Sequence, residues 1–248
     1  MTDNRELFTG KAEDYARFRP SYPAAAVDWL RERTSGGAVA DVGAGTGIFT
    51  RLLLRRFAPV CAVEPNAAMR AAFRRFLPDI PCLDGSGECT DLPDGSVDLI
   101  TVAQAFHWLD EELFKREARR ILRKDGQVAI IWNSCVPNGF TLARDEVCKR
   151  YCPRFRAGRT GKRSAAEGDA FLREVYFSKV EVASFDNPFV MDLTAFLGNM
   201  RSRSYALVPG DAGFVEFEAE LQKVFACFSE NGVVTERQLT EIYLGRFD

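Results

Sequence analysis

Residues 38–47 read Ala-Val-Ala-Asp-Val-Gly-Ala-Gly-Thr-Gly, an apolar run that breaks into three alternating glycines. Glycine there lets the backbone turn tightly and approach a ligand. Dinucleotide sites and phosphate loops also use such loops, so the details decide. The spacing is GxGxG, not GxGxxG, and no Gly-Lys-Ser/Thr follows. Asp41 stands two residues before the first glycine, at the expected mouth of a sheet. Facing a pyrophosphate it would meet like charge, at a cost on the order of several kcal/mol for an effective dielectric near ~20. Facing an ammonium and a sulfonium it is attracted instead, and S-adenosylmethionine is a ligand of that kind. The competing reading is an ordinary tight turn with a solvated Asp.

The rest of the chain sets this loop in an α/β frame. Apolar runs closed by Gly, Pro or Asp predict strands at 38–42, 59–63, 80–83, 97–103 and 127–132. Helical spacing fills the gaps: Ile48 and Leu52; Met69, Ala72, Phe73 and Phe76; Phe114, Ala118, Ile121 and Leu122 behind an Asp110 N-cap. Strand alternating with helix predicts right-handed crossovers and a doubly wound parallel sheet. Phe140, Ala143, Val147 and Tyr151 predict a further helix, 154–169 a loop, 176–185 a sixth strand, and 239–247 a final strand. Phe214, Phe217, Leu221, Val224, Phe225 and Phe228 draw one apolar helical stripe. Residues 1–36 read as a helical extension, with Ser21 and Pro23 as helix starters.

Ligands of open α/β sheets bind beyond the carboxyl ends of the strands. Four successive predicted strand ends carry polar or Gly-rich residues: the glycine loop, Glu64-Pro65, Asp84-Gly85-Ser86-Gly87-Glu88, and Gln104-Ala105-Phe106-His107-Trp108. Glu64 is placed to take both ribose hydroxyls, and Ser86, Gly87 and Glu88 to read the adenine edge.

Composition narrows the function further. The 33 Lys and Arg against 35 Asp and Glu leave a net charge of −2, which argues against a general polyanion binder. The seven Cys form no CxxC pair and the single His has no partner at ligand spacing, so no metal is expected. The thiols are expected to be reduced and buried, and Cys148 and Cys152 could share a helix face. No apolar run reaches membrane-span length and the N-terminus lacks a secretory h-region, so a cytoplasmic protein is expected, without a membrane or nucleic-acid partner, as monomer or homodimer.

With these residues in view, the chain resembles the class I methyltransferases, Rossmann-like enzymes with a seven-stranded, mostly parallel sheet and an antiparallel last strand. VADVGAGTGIFT is similar to their first cofactor motif, AVEPN to the second, and GSGECTDLPDGSVDLITVAQAFHWLD to the adenine and fourth-strand segment. Tyr15-x3-Arg19-Pro20-x-Tyr22-Pro23, Ala105-Phe106-His107-Trp108 and Ser202-Arg203-Ser204-Tyr205 resemble a small-molecule branch that includes trans-aconitate methyltransferase-like proteins. The resemblance implies S-adenosylmethionine as cofactor. It implies Asp41, Gly43, Ala44, Gly45, Thr46 and Gly47 around the methionine and ribose, and Glu64 with Pro65 at the ribose. It puts Asn66 and Met69 near the adenine, Ser86, Gly87 and Glu88 at its edge, and Gln104 near the methionine. Many relatives carry Asp and Ala where this chain has Ser86 and Gly87. The layout implied is an N-terminal helical lid over 1–36, a cofactor-binding half over 37–133, and an acceptor-side half over 134–248 with a helical insert after the fifth strand.

Methyl transfer from a sulfonium is an in-line displacement from an activated donor, so positioning supplies most of the catalysis. A carboxylate acceptor needs no base, whereas a hydroxyl, thiol or amine needs one, and His107 is the candidate. Tyr15 and Arg19 are candidate lid residues at the cofactor. Tyr22, Trp108, Trp132, Ser202, Arg203 and Tyr205 are candidates for the acceptor pocket. The competing roles are structural: His107 packed on Trp108, Arg19 on a surface arm, Ser202 as a cap. Rival functions are a nucleic-acid methyltransferase using the basic stretch Lys149, Arg150, Arg154, Arg156, Arg159, Lys162 and Arg163, a non-catalytic S-adenosylmethionine-binding module, and a dehydrogenase.

Overall fold

The computed structural model describes residues 10–156, 159–160 and 163–247. Four short apolar segments build the centre of the main sheet: β1 (Val39–Val42), β2 (Val60–Val63), β3 (Cys82–Leu83) and β4 (Val97–Ala103). β5 (Leu122–Cys135) and β6 (Lys179–Asp186) follow, then a short β7 (Phe189–Met191) and β8 (Val234–Glu236), and finally β9 (Gln238–Arg246). The seven-stranded sheet has the order β3-β2-β1-β4-β5-β9-β6. Neighbours from β3 to β5 run parallel, and β9 runs antiparallel to both β5 and β6. Strand order reverses at β1, so the crevice beyond its carboxyl end is the topological switch point where such sheets take ligands.

The central strands are buried on both faces because helices cover both. Leu30 of α2 (Ala24–Arg33) and Leu53 of α3 (Thr50–Leu53) pack with Val39, Leu99 and Ile131 on one side. Phe114, Ala118 and Ile121 of α5 (Glu111–Ile121) pack with Ala40, Ile100 and Ile130 on the other. The helix starts follow local chemistry. Asp110 accepts from the amides of Glu112 and Leu113, as expected of an N-cap, and Asn66 accepts from Met69 N to start α4 (Ala67–Phe76).

A second core lies beside the sheet. It joins α6 (Gly139–Tyr151), α8 (Leu193–Arg201) and α9 (Phe214–Phe228) through Phe140, Val147, Phe196, Phe217, Leu221 and Phe225. The helical insert after β5 is therefore present, but α8 and α9 come from a second insertion, between β6 and β9. The antiparallel pairing of β7 with β8 brackets that insertion.

Several expectations are corrected. The fifth strand runs Leu122–Cys135, not 127–132, since Arg123, Lys124 and Asp125 extend it with exposed side chains. The third shrinks to Cys82–Leu83, and the helix after the glycine loop is only four residues long. The predicted 154–169 loop contains the start of α7 (Ala165–Phe171). A capping box holds it: the Ser164 side chain accepts from Glu167 N while Glu167 accepts from Ser164 N. Residues 157–158 and 161–162 of that stretch lie outside the described residues. Cys148 and Cys152 are buried as expected, but Cys89 and Cys227 are exposed. The stripe on α9 buries Phe217, Leu221 and Phe225 but leaves Phe228 at 38% exposure. Among the described residues no helix is long and apolar enough to cross a membrane.

The N-terminal arm, α1 (Ala12–Phe18), is fastened to α8 and the turn after it. Asn199 Nδ2 donates to the Phe18 carbonyl (3.0 Å), Arg201 Nε to Asp14 (2.9 Å), and Lys11 Nζ to the carbonyls of Arg203 (2.7 Å) and Ala206 (2.8 Å). Phe18 lies so close to Gly198 that a Cβ there would come within 2.1 Å of its ring. Alanine normally favours a helix over glycine. Gly198→Ala is nevertheless expected to destabilise by about 1–3 kcal/mol, because the clash lifts α1 away. A melting temperature lowered by roughly 2–4 °C per kcal/mol, with unchanged far-ultraviolet dichroism, is the expected result; an unchanged midpoint contradicts this packing.

Candidate cofactor and acceptor site

At the end of β1 the chain turns through the glycine loop. Gly43 has φ +68° and a Cβ on it would lie 2.5 Å from the Ala105 Cβ, so that position is closed by packing against the β4 end. Gly45, at φ +59°, meets only the Tyr15 ring, 3.8 Å from a notional Cβ. The loop is thus roofed by a side chain from α1.

Asp41 is the most constrained group in the site, at 1% exposure. Sheet register sets Thr101 of β4 opposite it, and the start of α3 brings Thr50. Both hydroxyls donate to its carboxylate, Thr50 at 2.6 Å and Thr101 at 2.8 Å. Asp41 lines the cleft as expected, but it does not stand free at the mouth, since each oxygen already accepts one hydrogen bond. Burial pushes its pKa up to about 6, against the two hydroxyl bonds that pull it down, and the nearby Glu64 charge raises it further. Among the described residues no arginine or lysine forms a salt bridge with it.

Glu64 ends β2. Its Oε2 accepts from Gly45 N (2.9 Å) and its Oε1 from Asn66 N (2.8 Å), so the carboxylate holds the glycine loop in shape. A carboxylate offers about four lone-pair sites, which leaves acceptor capacity for a diol. Burial raises its pKa, while these amides and Arg70 oppose the rise. Thr46 Oγ1 is buried with no hydrogen-bond partner among the described residues. A buried hydroxyl without a partner among the described residues, two buried acids and a loop whose Gly43, Ala44, Gly45 and Gly47 amides are already bonded within the protein fit a cationic nucleoside better than a polyphosphate.

The cleft brings together Tyr15, Arg19, Tyr22, Asp41, Gly43, Ala44 and Gln104 of the expected residues. Tyr22, expected on the acceptor side, packs edge-on to Phe49 with centroids 4.9 Å apart and lines the same cleft as Asp41. Gln104 adopts φ +56°, a conformation uncommon outside glycine, with its amide donating to Ile131 O and its side chain to Asn133 O (3.1 Å). Asn133 also lines the cleft, and its Oδ1 accepts from Thr240 (2.6 Å). Asn133 is not among the expected residues, although it directly follows the strand expected at 127–132.

Other expected residues stand outside the cleft. Asn66 caps α4 and Met69 is packed in its core-facing side. Ser86 and Cys89 exchange backbone hydrogen bonds that close the turn around Gly87. Glu88 accepts from Asp110 N (2.8 Å), which commits it to the start of α5. Ser202 caps α8: its hydroxyl donates to Asn199 O (2.6 Å) and its carbonyl accepts from Arg19 (3.2 Å). The Tyr205 ring packs on Phe155, centroids 4.9 Å apart, and burial lifts its hydroxyl pKa to about 12.

His107 sits in an aromatic cluster, 4.4 Å from Trp108 and 5.3 Å from Trp132 between ring centroids. Burial, then the charge of Arg19, drives its pKa down to about 3, and its Nδ1 has no partner among the described residues. A base so weak is poorly matched to neutral pH. Arg19 stacks its guanidinium 4.9 Å from the centre of the Tyr15 ring. Burial lowers its pKa, Tyr15 opposes that, and the neighbouring Arg203 lowers it again.

The basic stretch is partly neutralised. Lys149 pairs with Glu146, Arg150 lies 3.9 Å from Glu220, and Arg163 pairs with Glu111.

Comparison with known proteins agrees with this geometry. Residues 40–130 match the family model described as a methyltransferase domain. Uncharacterized methyltransferases of Mycobacterium bovis and Mycobacterium tuberculosis are 42% identical over 120 residues, covering 48% of this chain and 49% of theirs. A methyltransferase-like protein of Schizosaccharomyces pombe is 33% identical over 140 residues, or 54% of this chain and 55% of that one. The chain thus spans about half the length of the curated relatives it matches. The solved structure of a candidate type II methyltransferase from Anaeromyxobacter dehalogenans superposes with a TM-score of 0.69 at 26% identity, covering 92% of this chain and 98% of that one.

The charge state of Asp41 gives a stability test. Its folded pKa lies above the usual 3.8, so the stability it contributes is fully present below pH 3.8 and is lost as pH rises through about 6. Two units correspond to about 3 kcal/mol, so the stability of wild type relative to Asp41→Asn should fall by about that amount between pH 4 and 7 in denaturant titrations. A pH-independent difference contradicts the burial of an ionisable Asp41. Residues 40–130 thus match a methyltransferase domain, and the seven-stranded sheet with its switch-point cleft is similar in fold to the solved methyltransferase that superposes on it.

Proposed function

We propose that the chain transfers the methyl group of S-adenosylmethionine to a small-molecule acceptor, with a carboxylate as the acceptor group that the site favours. The observation that carries the reading is Asp41, a buried acid at the tip of β1 that accepts two neutral hydroxyl bonds and has no salt-bridge partner among the described residues. A cationic, phosphate-free nucleoside supplies the missing charge, and a pyrophosphate would add to the repulsion.

When bound, S-adenosylmethionine would supply a methyl on a sulfonium, activated because its carbon–sulfur bond breaks to release a neutral thioether as the in-line acceptor bonds to the methyl carbon. The residues of this chain bind and orient. Asp41 attracts the positive part of the cofactor, the glycine loop gives its backbone close approach, and Glu64 offers acceptors to the ribose diol. Tyr15 and Arg19 roof the cleft from the N-terminal arm, which supports reading 1–36 as a lid, 37–133 as the cofactor half and 134–248 as the acceptor side. Trp108 and Trp132 flank the aromatic side of the acceptor space.

His107 is not assigned as a base. Its depressed basicity supports a neutral imidazole that packs and offers a hydrogen bond, and a carboxylate acceptor needs no proton removed. The Nε atoms of Arg19 and Arg203, buried without partners among the described residues, support an acidic acceptor. The unpaired thiols are compatible with action in the reducing cytoplasm.

Calorimetry with S-adenosylmethionine and with NADH, then mass spectrometry of a panel of acids and amines for a one-methyl gain, tests the assignment. Binding of the sulfonium compound and methylation of an acid are expected; binding of NADH alone contradicts the reading. The kcat/KM profile of the acid substrate is expected to show no histidine-dependent limb between about pH 5 and 8, and His107→Gln should leave the shape of that profile unchanged. A limb near pH 6.5 that vanishes in His107→Gln contradicts the neutral role.

A further inference from the structure

Outside the cofactor cleft, the most unusual buried arrangement is a row of guanidinium groups behind the acceptor side. Arg144 of α6 and Arg203, just past α8, both face Glu236 at the end of β8, and Arg203 in turn neighbours Arg19. Side-chain exposure is 6% for Arg144, 20% for Arg203 and 3% for Glu236.

The two arginines use that carboxylate differently. Arg144 Nη1 donates to Glu236 Oε2, and its Nε and Nη2 donate to Asp145 (2.9 and 2.7 Å). Its donors are largely spent. Arg203 stands 3.9 Å from Glu236 Oε1, too far for a hydrogen bond, and Oε1 already accepts from Gln238 Nε2 at 2.7 Å. Arg203 Nη2 donates to Asn199 (3.2 Å), while its Nε is buried without a partner among the described residues. Arg19 Nε is in the same condition.

Glu236 therefore compensates the charge of Arg203 without consuming its donors. Two guanidiniums that each keep a buried Nε without a partner among the described residues, with Arg19 bonded to the carbonyl next to Arg203, are a disfavoured pair until an anion bridges them. A carboxylate that keeps one of them charged and aimed, yet is itself held by Arg144 and Gln238, is suited to preorganise such a subsite. Burial raises the Glu236 pKa, but the charges of Arg203 and Arg144 outweigh it and keep the group ionised.

We infer that Glu236 is a positioning residue that aims the Arg203 guanidinium at an anionic group of the acceptor beside Arg19. The inference rests on the proposed methyl transfer to an acidic acceptor and adds a residue that touches neither substrate nor cofactor.

The test titrates malonate, succinate and inorganic phosphate, by calorimetry, into the full chain with and without saturating S-adenosylhomocysteine. Wild type is expected to bind at least one anion. Glu236→Gln and Arg203→Ala should each weaken it by roughly tenfold or more, with S-adenosylhomocysteine affinity changed by less than about twofold. Glu236→Asp should restore affinity to within about threefold of wild type, and Glu236→Gln with Arg203→Ala should be no weaker than Arg203→Ala alone, because one acts through the other. Should Glu236→Gln fail to fold, Gln238→Leu frees Oε1 while keeping the Arg144 pair and is expected to cost about threefold. Anion binding absent in wild type, unchanged in the Glu236 or Gln238 variant, or lost multiplicatively in the double variant overturns the inference. Failure of S-adenosylhomocysteine to bind overturns the methyl-transfer reading instead, and the titration of the unliganded protein then decides the anion subsite by itself.

Discussion

The clasp of Thr50 and Thr101 on Asp41 is the interaction on which the site depends. A carboxylate at 1% exposure needs hydrogen bonds to remain there, and the fold supplies two from elements far apart in sequence. Thr101 arrives through the β1–β4 pairing, and Thr50 through the short helix that the glycine loop launches. Neither hydroxyl carries charge, so the clasp holds the acid in place without neutralising it.

Around that point, two cores divide the work. The sheet and its flanking helices hold the glycine loop and Glu64, while the cluster of α6, α8 and α9 holds Arg144 and Arg203. The N-terminal arm joins them. Tyr15 lies over Gly45, and Lys11 and Arg19 both end on carbonyls of the turn after α8. A helix of seven residues, with the residue at each of its ends, thereby reaches both the glycine loop and the turn after α8.

The sheet was legible in sequence because its central strands are buried on both faces and read as β-branched runs; Val97–Ala103 is predicted to the residue. Charged Arg123, Lys124 and Asp125 hid the first part of β5, since a strand exposed there carries no apolar signal. The insertion between β6 and β9 was illegible for a different reason. Its bracketing strands are three residues each and pair across more than forty positions. In the site, Asp41, Gly43 and Gln104 were readable from strand ends. The hydroxyl clasp, the Glu64 bonds to the loop and the Glu236–Arg203 relation were not, because each depends on contacts set by packing, not by spacing.

The most direct measurement is calorimetry of S-adenosylmethionine binding near pH 6, in buffers of different ionisation enthalpy. A cation settling beside Asp41 must lower its pKa, so binding should release a fraction of a proton and tighten as pH rises from 5 to 7 through about 6. Asp41→Asn should abolish both effects. Binding that is indifferent to pH and buffer, with the same affinity in that variant, would contradict the electrostatic account of the site.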